Sequence, residues 1–179
     1  MADSNMTKKA FSSSVKVLMD EKAFEKISIG DICSDCGLNR KTFYYHFKDK
    51  YDLINWVFDS EFAEGAENMQ YTEAWDLLID LSYYLYENKK FYRKALSIKG
   101  QNSFLNYFRE YMFDIISMYN KEKIKQDKME EFRIILFADS YVMALKRWLV
   151  DYADMMPEKF LENIKSCIEV LALNYKKIK

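Results

Sequence analysis

The sequence predicts an all-α protein. Only four Gly and one Pro occur in 179 residues, which leaves little material for strands joined by tight turns. Apolar residues recur at intervals of three and four along most of the chain, the spacing of a helix face, whereas a strand would alternate. Leu, Lys, Glu, Met and Ala are abundant, and they lose little freedom in a helix. With 50% hydrophobic and 17% aromatic residues the chain can also bury a sizeable core.

The first helix is predicted over about 7–21, with Phe11, Val15 and Leu18 facing inward. Phe24 and Ile27 close the connection to a second, short helix. Ser28 can cap that helix, and Asp31 three residues on comes close to a capping box. Ile29, Ile32 and Cys36 give it an apolar face. Gly37 falls where the chain must reverse, since glycine accepts the left-handed conformation cheaply. Asn39 can cap a third helix that carries Arg40, Lys41, Thr42, Tyr44, Tyr45 and His46 outward around the anchors Phe43 and Phe47. Two short helices, a glycine turn and a polar, basic, aromatic second helix make a helix-turn-helix suited to the major groove. A fourth helix is predicted from about 50 to 68, with Leu53, Ile54, Val57, Phe58 and Phe62 as its apolar stripe.

The run ICSDCGLNRKTFYYHF, followed by KDKYDL, resembles the DNA-binding segment of the TetR family of transcriptional regulators. Ile32, Cys36, Gly37, Leu38, Phe43, Tyr44, His46, Phe47 and Lys50 stand in the register of that family's signature, with Cys36 where Ala is usual. The resemblance spans roughly residues 7–60. It implies a homodimer that pairs through a four-helix bundle of its last two long helices, with repression as the default outcome. It also implies that Tyr44, His46 and Lys50 grip phosphates. By their place on the recognition helix, Arg40 and Lys41 would reach base edges, an arginine pairing bidentately with guanine. Thr42 and Tyr45 would contact bases, a thymine methyl or the sugar-phosphate wall, and Ser28 would add its hydroxyl and free backbone amides to a phosphate. The competing reading packs Tyr44 or Tyr45 on the first helix, buries His46, and leaves Arg40 and Lys41 as solvated charges.

The second half is read as helices over about 72–87, 88–96, 102–120, 128–153 and 157–176, with Pro157 in a first turn. The most polar stretch is KEKIKQDK, 121–128. The last helix has a heptad-like seam of Leu161, Ile164, Ile168, Leu171, Tyr175 and Ile178. The helix before it has two apolar stripes, Ile134, Phe137, Tyr141, Ala144 and Trp148 on one face and Ala138, Val142, Leu145, Leu149 and Tyr152 on another. A helix apolar on two faces must bury both. The dimer interface is therefore expected at Ile134, Phe137, Tyr141, Trp148, Leu161, Ile164, Ile168 and Leu171; the alternative is a helix central to a monomer's core. Trp75, Tyr83, Tyr84, Phe91, Phe104, Phe108, Tyr111, Met112 and Tyr141 are expected to line an apolar effector cavity, or else to fill an ordinary core. Arg93, Lys94, Lys99 and Arg109 interleave with them, which would suit an anionic ligand. Residues 84–104 are similar to the C-terminal region of a TetR subgroup that includes activators of dihydroxyacetone kinase genes.

These readings divide the chain into a DNA-binding domain, 1–50, and an effector and dimerisation domain, 51–179. The expected partners are a palindromic double-stranded DNA operator, a second copy, and a small-molecule or protein effector; the alternative is a helical co-regulator that does not touch DNA. Net charge is −1, but in 39–50 Arg40, Lys41, Lys48 and Lys50 face only Asp49, as suits a reader that neutralises a few phosphates. Three cysteines, an odd count, read as reduced thiols of a cytoplasmic protein, and no apolar run approaches the ~20 residues that span a bilayer. A lone His, no phosphate-binding glycine loop, and a Cys33–Cys36 pair without a second ligand pair leave no catalytic residue, metal or cofactor to expect. An enzyme is not expected.

Overall fold

The computed structural model describes residues 2–69, 71–120 and 128–178, with side chains for 4–69, 71–120 and 129–169. Every regular element among the described residues is helical. In chain order these are α1 (Ala2–Glu21), a 3₁₀ turn (Phe24–Lys26), α2 (Ile29–Asp35), α3 (Arg40–His46), α4 (Lys50–Phe58), a π turn (Asp59–Ala63), α5 (Glu64–Asn68), α6 (Ala74–Glu87), α7 (Lys89–Ala95), α8 (Phe104–Tyr119), α9 (Lys128–Asp151) and α10 (Pro157–Ile178). Pro157 opens α10, where its missing N–H costs nothing. The polar stretch 121–127 and the side chains of Leu171, Tyr175 and Ile178 lie outside the described residues.

The helix expected over 50–68 is one helical path with a wide turn inside it. Glu64 N–H reaches back five residues to Asp59 O, one more than an α-helix uses. Below that turn Phe58 is fully buried and packs edge-on against Tyr92, Phe104, Phe108 and Tyr111, with ring centroids 5.0–6.4 Å away. The Tyr107 hydroxyl donates to Asp59 across the turn, and burial pushes the Asp59 carboxyl above its ordinary pKa.

Phe58 lies in a core that runs from Phe11 to Leu161 without a break. The residues expected to line an effector cavity lie mostly in or against this core. Phe104, Phe108, Met112 and Tyr141 are buried, Phe91 is nearly so, and Tyr84, Tyr111 and Trp75 pack against them. Phe104 and Phe108 stack at 5.5 Å, so these rings fill each other's space. Tyr83 stands apart, exposed beside Glu158. Of the basic residues among them, Arg93, Lys94 and Arg109 are spent on structure, and Lys99 is exposed. Lys94 donates to Met19 O and Asp20 O at the end of α1, and Lys90 pairs with Asp20 at 2.6 Å. Arg93 and Lys89 donate to Val150 O and Ala153 O at the end of α9, and Arg109 forms a two-pronged bridge to Asp139 at 2.5–2.7 Å.

The residues expected to form the dimer face divide between the chain's own core and its surface. α9 packs along α8, and α10 along α6. Ile134, Tyr141 and Trp148 are buried inside the chain, as are Ala138, Val142, Leu145 and Leu149, so most of both anticipated stripes serves its own core, while Tyr152 is exposed. Trp148 lies between Tyr86 and Phe160 in a parallel stack, with centroids at 5.6 and 4.3 Å, and Leu161 is buried beside Phe160. Phe137 and Ile164 are half-buried, and Ile168 is exposed. The open apolar face of α9 is a third stripe, Met129, Phe132, Leu136 and Met143, with Phe132 and Leu136 each 58% exposed.

Candidate nucleic-acid interface

The helix-turn-helix is fixed by local bonds that its sequence specifies. Ser28 Oγ accepts the Asp31 N–H at 3.0 Å and Asp31 Oδ2 accepts the Ser28 N–H at 2.9 Å, a complete capping box. Those bonds, with Lys22 Nζ at 2.9 Å, hold the Asp31 pKa down at about 2. At the other end of α2, Leu38 N–H donates to Cys33 O and Gly37 N–H to Ser34 O, with Gly37 at φ +68°. This is the Schellman closure, and the left-handed residue it needs is the glycine. Asn39 then caps α3 by accepting the Thr42 N–H at 2.8 Å.

Behind this frame, Phe43 and Phe47 are buried against Phe11, edge to face at 5.2 and 6.1 Å. Ser14 Oγ donates to Ile32 O and locks α1 onto α2. The Cys36 Sγ donates to Ile32 O within its own helix, and Cys33 is buried.

Anchoring one face of α3 turns the other outward. Arg40 and Lys41 are exposed and make no ion pair among the described residues. Tyr44 is 53% and Tyr45 83% exposed, so neither packs away on α1. His46 is half-buried and meets Tyr45 edge-on at 4.9 Å. Thr42 gives its hydroxyl proton to Asn39 at 3.1 Å and is half-buried. Ser28 is exposed, but its own amide is satisfied by Asp31 and is no longer free.

Lys50 departs from what the resemblance implied. Its ammonium turns inward, donating to Phe24 O and Ile27 O at 2.8 Å each. At most one of its three N–H groups remains for a phosphate. Lys48, just ahead of α4, is an exposed cation beside the recognition helix; the sequence reading counted its charge but did not name it as a DNA contact. Its place between Phe47 and the capping Asp49 was the available signal.

Residues 72–170, more than half the chain, match a family described as transcriptional regulator C-terminal region, and residues 16–57 match the bacterial regulatory proteins of the tetR family. The chain belongs to the TetR family. Over 99 residues it is 35% identical to the HTH-type dhaKLM operon transcriptional activator DhaS of Lactococcus lactis subsp. lactis (strain IL1403), which covers 55% of this chain and 53% of that relative. The match thus spans about half the length of the curated relative. A solved structure described as dihydroxyacetone kinase operon activator DhaS superimposes with a TM-score of 0.63 at 26% identity, over 96% of this chain and 97% of that one. This TetR-family regulator therefore shares its head and its all-helical body with transcription factors. No helix among its described residues is long and apolar enough to cross a membrane.

Proposed function

We propose that this regulator acts as a homodimer that sets one α3 into each of two successive major grooves of a palindromic operator. The observation that carries the reading is the outer face of α3, where exposed Arg40, Lys41, Tyr44 and Tyr45 stand on a helix braced at both ends. Arg40 and Lys41 face the base edges, and Tyr44, Tyr45, His46 and Lys48 the backbone. The open stripe Met129, Phe132, Leu136 and Met143 supports a two-fold partner, because a second copy would cover it on both subunits. The relative named as an activator favours activation over the repression usual in the family. The filled aromatic core favours an effector, small molecule or protein, that acts from the surface of the C-terminal half.

The test is a footprint on the DNA upstream of the protein's own gene and its neighbours, with sedimentation of the free protein. A two-fold footprint, lost in Arg40→Ala/Lys41→Ala, and a dimer converted to monomer by Leu136→Glu are expected. Unchanged DNA binding in the double variant would overturn the DNA reading, and a dimer that survives Leu136→Glu would overturn the interface.

A further inference from the structure

We propose that two copies of this chain pair through α9 in antiparallel register, with the two-fold axis beside Ser140 and Arg147 over the ring of Phe132 of the partner subunit. This register rests on the homodimer read above and fixes which residues meet.

Along α9, Phe132, Leu136, Ser140, Met143 and Arg147 recur at steps of three and four, which sets them on one narrow face. All five are exposed. The face is symmetric about its own centre. Leu136 and Met143 lie equally far from the midpoint between Asp139 and Ser140, and so do Phe132 and Arg147. A two-fold axis at that midpoint sets Leu136 on Met143 of the partner subunit and Arg147 on Phe132 of the partner subunit, each contact made twice.

The side-chain chemistry agrees with that symmetry. Leu136 and Met143 are apolar and cover each other. Arg147 has no ion pair or hydrogen bond among the described residues, and a ring face attracts its guanidinium. Ser140, at the centre, is small, and its hydroxyl already donates to Leu136 O at 2.7 Å. The two helices therefore approach closely there without stranding a donor. Glu131 and Lys146 flank the face on one side, each without an ion-pair partner among the described residues. Antiparallel pairing brings each Glu131 within a turn of Lys146 of the partner subunit, and such flanking charges set orientation. A parallel pair would instead set Arg147 against Arg147 of the partner subunit and Glu131 against Glu131 of the partner subunit, and like charges repel. Lys89 and Arg93 bind α7 to the end of α9, and Lys94 binds it to the end of α1. The register of α9 thereby sets the spacing of the two heads.

The experiment is disulfide trapping of the full chain in a Cys167→Ser background, which removes the exposed native thiol. Diamide is the oxidant, and reduced samples are sedimented alongside. Ser140→Cys is expected to give a covalent dimer by itself. Leu136→Cys and Met143→Cys, co-produced with tags of different size, are expected to give the mixed covalent dimer and little of either self-linked one, because a disulfide spans at most about 7 Å between Cα atoms. Glu131→Lys should weaken dimerisation at least about tenfold, and Lys146→Glu added to it should restore the dimer. A sedimenting dimer that fails to link through Ser140→Cys, that links through Leu136→Cys alone, or that is not restored by the second charge reversal overturns the register and leaves the homodimer standing. A monomer overturns the homodimer and the register with it.

Discussion

The ammonium of Lys50 lies 4.3 Å above the ring of Phe24 and holds the carbonyl oxygens of Phe24 and Ile27. One side chain of α4 thereby ties off the connection between α1 and α2. Its removal strands the Ile27 carbonyl, whereas that of Phe24 keeps the Ile27 N–H, and the lost charge-assisted bonds cost about 1.5–3 kcal/mol. Lys50→Ala should lower the urea midpoint accordingly, and Lys50→Met should recover only the packing on Phe24. A variant as stable as the parent would place the ammonium in solvent.

Lys48 should show the complementary behaviour. Exposed beside α3, its ammonium makes no bond among the described residues, so Lys48→Ala should leave the urea midpoint alone. The slope of log affinity against log salt should fall by about 0.9, the value for one phosphate contact. The readout is operator affinity at several salt concentrations.

Arg40 should carry sequence selectivity. With Arg40→Ala, discrimination at one base pair of each half-site should relax by about 1–3 kcal/mol, and the other positions should hold. Binding to a panel of single-base operator variants reads this directly; a uniform loss across the panel would make Arg40 a phosphate contact.

Asp31 makes the head acid-sensitive in a defined window. The Ser28 amide, aided by Lys22, holds its pKa down from 3.8 to about 2 in the folded state. A depressed folded pKa gives stability that is complete above the unfolded value and is lost as pH falls through the folded one. The loss therefore belongs between about pH 4 and pH 2. Asp31→Asn should be less stable at neutral pH and show a flatter acid limb in denaturation monitored by circular dichroism.

Gly37→Ala separates strain from clash. Nothing stands within 4 Å of where a Cβ would sit, so only the positive φ of 68° opposes the substitution. The expected cost is about 1 kcal/mol, or roughly 2–4 °C in Tm for a chain of this size. A much larger loss would mean that the turn itself rearranges.

The parts of the molecule governed by neighbours in sequence were legible in advance. Ser28 with Asp31, Gly37, Asn39 and Pro157 each act within a few residues, so capping and turn chemistry placed the helix-turn-helix and the start of α10. The outward face of α3 followed from Phe43 and Phe47 being its anchors. What needed tertiary partners was not legible. Periodicity shows that α9 has apolar faces, but only the positions of α8 and α10 decide that Ile134 and Trp148 are covered while Phe132 and Leu136 are not. The wide turn at Asp59 depends on Tyr107, 48 residues away. Lys50 has a flexible stem that reaches phosphate or carbonyl equally well, and the connection folded beside it chooses.

The basic side chains of α7 hold their neighbours in two ways that respond differently to salt. Lys16–Glu61 and Lys90–Asp20 join the two halves through partly exposed ion pairs, which salt screens. Lys94 and Arg93 instead clasp peptide oxygens at the ends of α1 and α9, and a peptide oxygen carries no net charge for counterions to offset. As salt rises the ion pairs weaken and the clasp on the two helix ends remains. On the head side that clasp is Lys94, which keeps the end of α1 beside the shared core when the charged pairs no longer count.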